Sequence, residues 1–444
     1  MNGGLSMVEM KSGYKMTEVG VIPEDWEVKN VSESCLIKAR IGWQGLKKTE
    51  YMSSGDYLLI TGTDFDNGQV NWRTCAYVSK ARYEQDSNIK IRPQDILISK
   101  DGTIGKVAYL GMIPKAGTLN SGIFVIRAND RKIDQVFLSK IFMSFYFEDF
   151  LNRLVAGSTI NHLYQKDFVK FCFPLPNSEE QTAIATALSD VDSLISALTK
   201  KIEKKKAIKQ GLMQQLLTGK KRLPGYEKNR ESVQTEWGAI PKDWKTLSIG
   251  KCCSIKARIG WQGLKKSEYL SSGEYVLVTG TDFLNGRINW KSCVYVSKKR
   301  YEQDANIQIA KHDILITKDG TIGKVAFLDD VPCLGTLNSG IFVVRSHSKE
   351  LDQSYLSKIF KSFIFDAFLE SLVAGSTINH LYQKDFVHFN FPVPPTISEQ
   401  TAIANILSDC DSEIAALEEK RDKYKEIKQG MMQQLLTGKI RLIK

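Results

Sequence analysis

No two cysteines in this sequence stand at C-x-x-C spacing, and its five histidines show no metal-ligand spacing, so zinc ribbons and zinc fingers are excluded. The eight cysteines lie mostly in apolar, strand-like surroundings such as FCFPLP and NWRTCAYV, where a reduced thiol behaves as a small buried hydrophobe. No apolar run approaches the roughly 18 residues of a membrane span, and the opening MNGGLSMVEMKSGYK lacks a signal-peptide core. A cytoplasmic location without membrane attachment is expected. Missing too are G-x-G-x-x-G after a strand, an Asp/Asn-Pro-Pro-aromatic methyltransferase motif and a nuclease-like cluster of carboxylates with lysine. DGTIGK at 101–106 has too few residues between its glycines for a phosphate-binding loop and reads as a tight turn between strands. The expectation is a protein without catalytic residues, metal or cofactor.

What is present is a chain of 444 residues, 42% hydrophobic and 25% charged, which suits an ordinary globular protein with two or three cores. Lys and Arg number 61 against 50 for Asp and Glu, and the net charge of +11 favours a polyanionic partner.

The chain is one unit written twice. IKARIGWQGLKK at 37–48 returns at 255–266, KDGTIGKVA at 100–108 at 318–326, and VAGSTINHLYQKDFV at 155–169 at 373–387. MQQLLTGK at 213–220 returns at 432–439, one inserted residue later. Within each copy the hydrophobic period changes once. The first part reads as short strands between turn signals, broken by one helical segment at 133–154, and gives an α+β domain. After FPLPNSEEQ or FPVPPTISEQ a long helix begins, with capping boxes expected at Ser178 with Gln181 and at Thr396 with Glu399. Its apolar residues follow a heptad seam: Ile184, Leu188, Val191, Ile195, Leu198 and Ile202 in the first copy, Ile403, Leu407, Cys410, Ile414 and Leu417 in the second. The two helices are expected to pair antiparallel within one chain, Leu188, Val191 and Ile195 against Ile403, Leu407 and Ile414, with weak points at Lys205, Lys209 and Lys428. The expected fold is therefore α+β: two repeated domains, 17–176 and 235–395, joined by long antiparallel coiled-coil helices at 177–218 and 396–437, with a linker at 219–234.

Three sets of polar and basic residues, each present twice, are the candidate DNA contacts. The first is Arg40, Trp43, Gln44, Lys47 and Lys48, with Arg258, Trp261, Gln262, Lys265 and Lys266. Lysine and arginine neutralise phosphates, and arginine or glutamine can make bidentate contacts to base edges. The second is Thr159, Asn161, His162, Tyr164, Gln165 and Lys166, with Thr377, Asn379, His380, Tyr382, Gln383 and Lys384. The third is Lys100, Thr103 and Lys106, with Lys318, Thr321 and Lys324, expected on phosphates.

The repeated order of a GVIPEDW-like opening, a GSTINHLYQKDF loop and FPLPNSEEQTAIATALSDVDSLI resembles the specificity subunit of type I restriction-modification enzymes. The resemblance implies two target-recognition domains, each gripping half of a split double-stranded DNA target. It implies assembly with two DNA-methyltransferase (modification) subunits and with restriction (motor and nuclease) subunits. Family members usually carry two dissimilar recognition domains, whereas these are near duplicates, which leads to the expectation of an interrupted palindromic target. The competing reading is a scaffold that binds no DNA and uses tandem domains and a coiled coil to tether proteins.

Overall fold

The computed structural model describes residues 12–40, 45–155, 162–227, 231–373 and 380–443. The chain divides into two units, residues 1–199 with 419–444, and residues 200–418.

In the first unit a four-stranded antiparallel sheet runs in the order Val107–Tyr109, Ile96–Ser99, Ile123–Ala128, Cys35–Ala39. Its central strands, ILIS and IFVI, are apolar without alternation because both faces are covered. Ile96, Ile98, Phe124 and Ile126 join one core with the helices, while Leu97, Ile123 and Val125 join a second core. Over that second face lies a three-stranded sheet, in which Tyr57–Ile60 pairs parallel with Gly117–Leu119 and antiparallel with Ala76–Val78. The expected helical segment at 133–154 is two helices, Gln135–Phe142 and Phe145–Val155, broken at Met143 and Ser144. The Ser144 hydroxyl donates back to Ile141 O at 2.7 Å, the local competition that ends a helical turn. DGTIGK forms the tight turn that its glycines suggested, between Ile96–Ser99 and Val107–Tyr109, with Gly102 at φ 69° and Gly105 at φ 80°. A Cβ at Gly105 would also run into the Leu151 side chain.

The second unit repeats this plan, with Val325–Phe327, Ile314–Thr317, Ile341–Ser346 and Cys253–Lys256 as its four-stranded sheet. In each unit the strand before the long helix pairs with a strand near the unit's start: Cys172–Leu175 with Glu27–Asn30, and Asn390–Val393 with Lys245–Ser248. That pairing delivers the chain to the helix start beside a tryptophan, and Trp26 Nε1 donates to Glu180 Oε2 at 3.0 Å.

The long helices are Ser178–Leu216 and Ile397–Leu435, of 39 residues each. The first is capped one residue earlier than expected, by Asn177, whose Oδ1 accepts from Glu180 N at 2.9 Å. Gln181 is no capping-box partner. Its amide donates to Lys132 O and Pro176 O and accepts from Asp134 N, which ties the helix to the domain. Thr396 does cap the second helix, accepting from Glu399 N, but the Glu399 carboxylate turns to Arg222 at 2.6 Å.

The helices pair antiparallel, and their register corrects the expected seam. In the first unit Asp192 meets Lys428 at 2.6 Å; in the second, Lys205 meets Glu413 at 2.7 Å and Lys209 meets Asp411 at 2.5 Å. Within the second unit the partner number falls from 413 to 411 as the residue number rises from 205 to 209, as an antiparallel pair requires. Leu188, near the start of its helix, therefore shares a core with Leu435 and Leu436, and Ile403 and Leu407 share one with Met213 and Leu216. Lys205, Lys209 and Lys428 are not weak points, since each has a carboxylate partner on the other helix. Asp192 also binds buried Lys140 at 2.7 Å, and Asp411 binds buried Lys358 at 3.0 Å. Burial raises the Asp411 pKa, but Lys209 and Lys358 outweigh it and leave the carboxyl below its ordinary value. Among the described residues no helix is long and apolar enough to cross a membrane.

Candidate nucleic-acid interface

Two of the three sequence-derived sets meet in space. Leu163 N donates to Lys100 O at 2.8 Å, and the same bridge places His162 Nδ1 against Asp101 Oδ1. The DGTIGK turn and the chain carrying His162, Tyr164, Gln165 and Lys166 are thereby one surface. The Ser99 hydroxyl fixes the turn, donating to Thr103 O at 2.6 Å and accepting from Lys106 N at 2.9 Å, and leaves the side chains of Thr103 and Lys106 exposed. Lys100 Nζ lies 5.3 Å from the Phe124 ring centroid, a cation–π contact that holds the ammonium at the edge of the core.

Tyr164 is 56% exposed although aromatic, with the His162 ring 4.6 Å away and Lys166 Nζ 5.5 Å from its ring centroid. An exposed ring flanked by an imidazole and an ammonium group is suited to sugar, base or phosphate contact. The second unit repeats these contacts, with Lys324 half-buried where Lys106 is exposed. Leu381 N donates to Lys318 O, His380 meets Asp319, Thr317 Oγ1 donates to Thr321 O and accepts from Lys324 N, Lys384 stands over Tyr382, and Gln383 is exposed.

Lys47 and Lys48 are exposed at a short turn of helix, Lys48–Glu50, whose geometry is set by Glu50. The Glu50 carboxylate accepts from Lys47 N at 2.8 Å and from Arg82 Nε at 2.7 Å. Lys265 and Lys266 are presented in the same way by Glu268 and Arg300. Trp43, Gln44, Thr159, Asn161, Thr377 and Asn379 lie outside the described residues, as does the side chain of Trp261.

Arg40 and Arg258 depart from the expectation that they read bases. Each is 2% exposed. Arg40 Nε donates to Leu119 O at 2.9 Å and NH2 to Thr118 Oγ1 at 3.1 Å, and Arg258 makes the same bonds to Leu337 and Thr336. Burial, followed by the neighbouring Arg82 charge, lowers the Arg40 pKa. These guanidiniums brace the strand that ends at Leu119 or Leu337. Gln262 is likewise inside, 6% exposed, with no partner for Oε1 among the described residues.

Just past the end of the strand that Arg40 braces, at Asn120 and Gly122, opens a polar cavity of about 450 Å³ that the sequence did not disclose. Tyr51, Thr61, Thr63, Thr103, Lys106 and Asn120 line it, drawn from four separate segments. Buried Asp64 organises its floor, accepting from Thr61 N, Thr61 Oγ1 and Thr74 Oγ1, each at 2.8 Å. Asn120 Nδ2 reaches Tyr51 Oη at 3.4 Å, and Asn338 reaches Tyr269 at 2.7 Å. Hydroxyls and an amide beside exposed lysines are the groups that read base edges next to phosphates. The signal available in the sequence was that TGTDF and GTLNSGIFV stand unchanged in both copies.

Among the described residues no group of three or more His, Cys, Asp or Glu side chains could hold a metal ion. A family model described as the type I restriction modification DNA specificity domain matches residues 23–210 and 241–429. The chain is 28% identical over 439 residues to the putative type I restriction enzyme MjaX specificity subunit of Methanocaldococcus jannaschii, which spans 97% of both chains. Identity to the MjaVIII specificity subunit of the same organism is 27% over 430 residues, 95% of this chain and 94% of that one. Among solved structures, the S subunit of a type I restriction-modification system from M. genitalium has the same fold, with a TM-score of 0.60 at 15% identity over 92% of this chain and 96% of that one.

Proposed function

We propose, from the premise that this chain belongs to the type I restriction-modification DNA specificity family, that its two units read the same short DNA half-site. The chain is a specificity subunit, and its partners are DNA and the other components of a restriction-modification complex. The finer assignment is ours. The α+β parts at 17–176 and 235–395 are the recognition domains, with spacer helices at 177–218 and 396–437 and the linker at 219–234. In each, the lysines of the DGTIGK turn and Lys47 and Lys48, or their copies, hold phosphates, and the cavity lined by Thr61, Thr63 and Asn120 reads bases. The subunit itself carries no catalytic step and needs no cofactor; two modification subunits and the restriction subunits supply the chemistry, in the cytoplasm.

One observation carries the reading. The Asp101–His162 bridge and the hydrogen bonds of the polar residues beside it recur at Asp319–His380 and at Thr279, Asp282, Asn338 and Tyr269. Of the residues that line the polar cavity, Thr74 becomes Ser292, which keeps the hydroxyl bond to the buried aspartate, and Ala76 becomes Val294, while Asp66 and Leu284 or Gln69 and Arg287 lie outside it. Identical readers favour identical half-sites. Because contacts such as Asp192–Lys428 and Lys209–Asp411 exchange the roles of the two helices, an inverted repeat with an unread spacer is the matching target. The methylated motif of the reconstituted complex tests this. An interrupted palindrome is expected, and two unrelated half-sequences would place the readout on the positions that differ.

A further inference from the structure

The residues that differ between the copies gather at a second place. In the second unit a cavity of about 890 Å³ lies between the recognition domain and both long helices. Five cations line it, Lys206, Lys209, Arg287, Lys358 and Lys361, against the three acids Asp329, Asp411 and Glu418. Two of those acids are already engaged. Asp411 binds Lys209 and Lys358, and Glu418 binds Lys206 at 2.6 Å. Arg287 and Lys361 have no carboxylate within ion-pair distance among the described residues; the Lys361 ammonium donates only to Gly286 O, at 2.9 Å. In the first unit the matching positions are Gln69 for Arg287, Met143 for Lys361 and Asp66 for Leu284. Asp329 and Glu418 stand where the first unit has Gly111 and Thr199, but Glu418 is engaged by Lys206, so Arg287 and Lys361 remain as added cations without an ion-pair partner among the described residues.

We propose that this cavity binds a phosphorylated small molecule, its phosphates against Arg287 and Lys361 and its remainder against Met213, Phe327 and Ile414. The volume lies within the roughly 300–1,000 Å³ typical of small-molecule sites, and the lining is mostly polar and charged, with Met213, Ile288, Phe327 and Ile414 as its apolar part. The charge is also costly when empty. Burial first, then Lys358 and Lys209, against the pull of Asp411 and Asp329, push the Lys361 pKa down to about 8. A half-buried cation that its surroundings disfavour marks a site shaped for a ligand more than for stability. A phosphate group supplies the missing counter-charge through charge-assisted hydrogen bonds.

Calorimetric titration of the full chain with pyrophosphate and with ADP tests the assignment. One site per chain is expected, with ADP the tighter probe because only it reaches the apolar wall. R287Q with K361M installs residues with which the first unit already folds and is expected to weaken binding by about tenfold or more. L284D, at an exposed rim position, is expected to weaken it by repulsion without touching the core. No binding of either probe, two equivalent sites per chain, or affinity indifferent to both variants would overturn the proposal. Equal affinity for the two probes would remove its apolar half.

Discussion

Arg441 Nε lies 2.5 Å from Glu180 Oε1, joining a residue beyond the second long helix to the first turn of the first. Arg441 also binds Asp25, while Glu180, with no exposed surface, holds Trp26. Arg222 makes the equivalent contacts with Glu399 and Asp243. Removing Arg441 leaves a buried carboxylate uncompensated. R441A is expected to cost roughly 3 kcal/mol, read by denaturant unfolding, and the E180Q/R441A pair is expected to cost less than R441A alone. Equal losses would show that the buried charge is not the source.

Arg40 separates a structural arginine from a DNA-contacting one. R40A leaves Leu119 O and Thr118 Oγ1 without their donor and is expected to destabilise by about 2 kcal/mol. R40K is expected to fail as a rescue, since one ammonium cannot replace the fork. The salt slope of DNA binding should stay unchanged in the folded fraction. A slope reduced by one unit would return Arg40 to the phosphate contacts.

The cavity and the lysines beside it are expected to respond differently to mutation. Asn120→Ala should relax base discrimination by about 1–3 kcal/mol for a lost bidentate contact, and Thr63→Ala and Tyr51→Phe, which each remove a single hydroxyl, by less. K47A, K48A and K106A should weaken binding to every duplex and flatten the salt dependence by roughly one unit per phosphate. Competition binding with single-base variants at two salt concentrations resolves the two classes. Lysine variants that alter base preference would reverse the roles.

Lys361 gives a stability effect with a defined pH window. Its folded-state pKa of about 8 lies below the ordinary 10.5. Below pH 8 the amine is charged in both states and the folded protein bears the cost. Between 8 and 10.5 the folded protein gives up the proton first, and above 10.5 the cost is gone. K361M is therefore expected to stabilise by up to about 3 kcal/mol at pH 7, with the gain shrinking towards pH 10. Unfolding measured at both pH values checks it, and a gain equal at both would refute the cause.

The duplication, the strand cores and the helices were legible because they rest on local periodicity and on the comparison of one copy with the other. Arg40 was misread because a basic residue beside a basic loop carries no mark of burial; only the strand ending at Leu119, 79 residues on, supplies its acceptor. Tyr51, Thr61 and Asn120 went unnoticed because tertiary folding alone brings their segments together. The helix register was mistaken for a different reason. Heptads fix which face pairs, whereas the meeting of Leu188 with Leu435 follows from the two helices having equal length.

The antiparallel exchange also orders events on the ribosome. Residues 200–418 form one continuous stretch, so the second unit has all its parts as soon as that stretch has emerged. The first unit begins 199 residues sooner yet cannot finish, because Tyr14 awaits the carbonyl of Gly438 and Glu180 awaits Arg441. Through that interval the apolar face of Leu188 has no Leu435 to cover it. The half made first is thus the half completed last, and its exposed seam is the stage of synthesis most open to mispairing with another nascent chain.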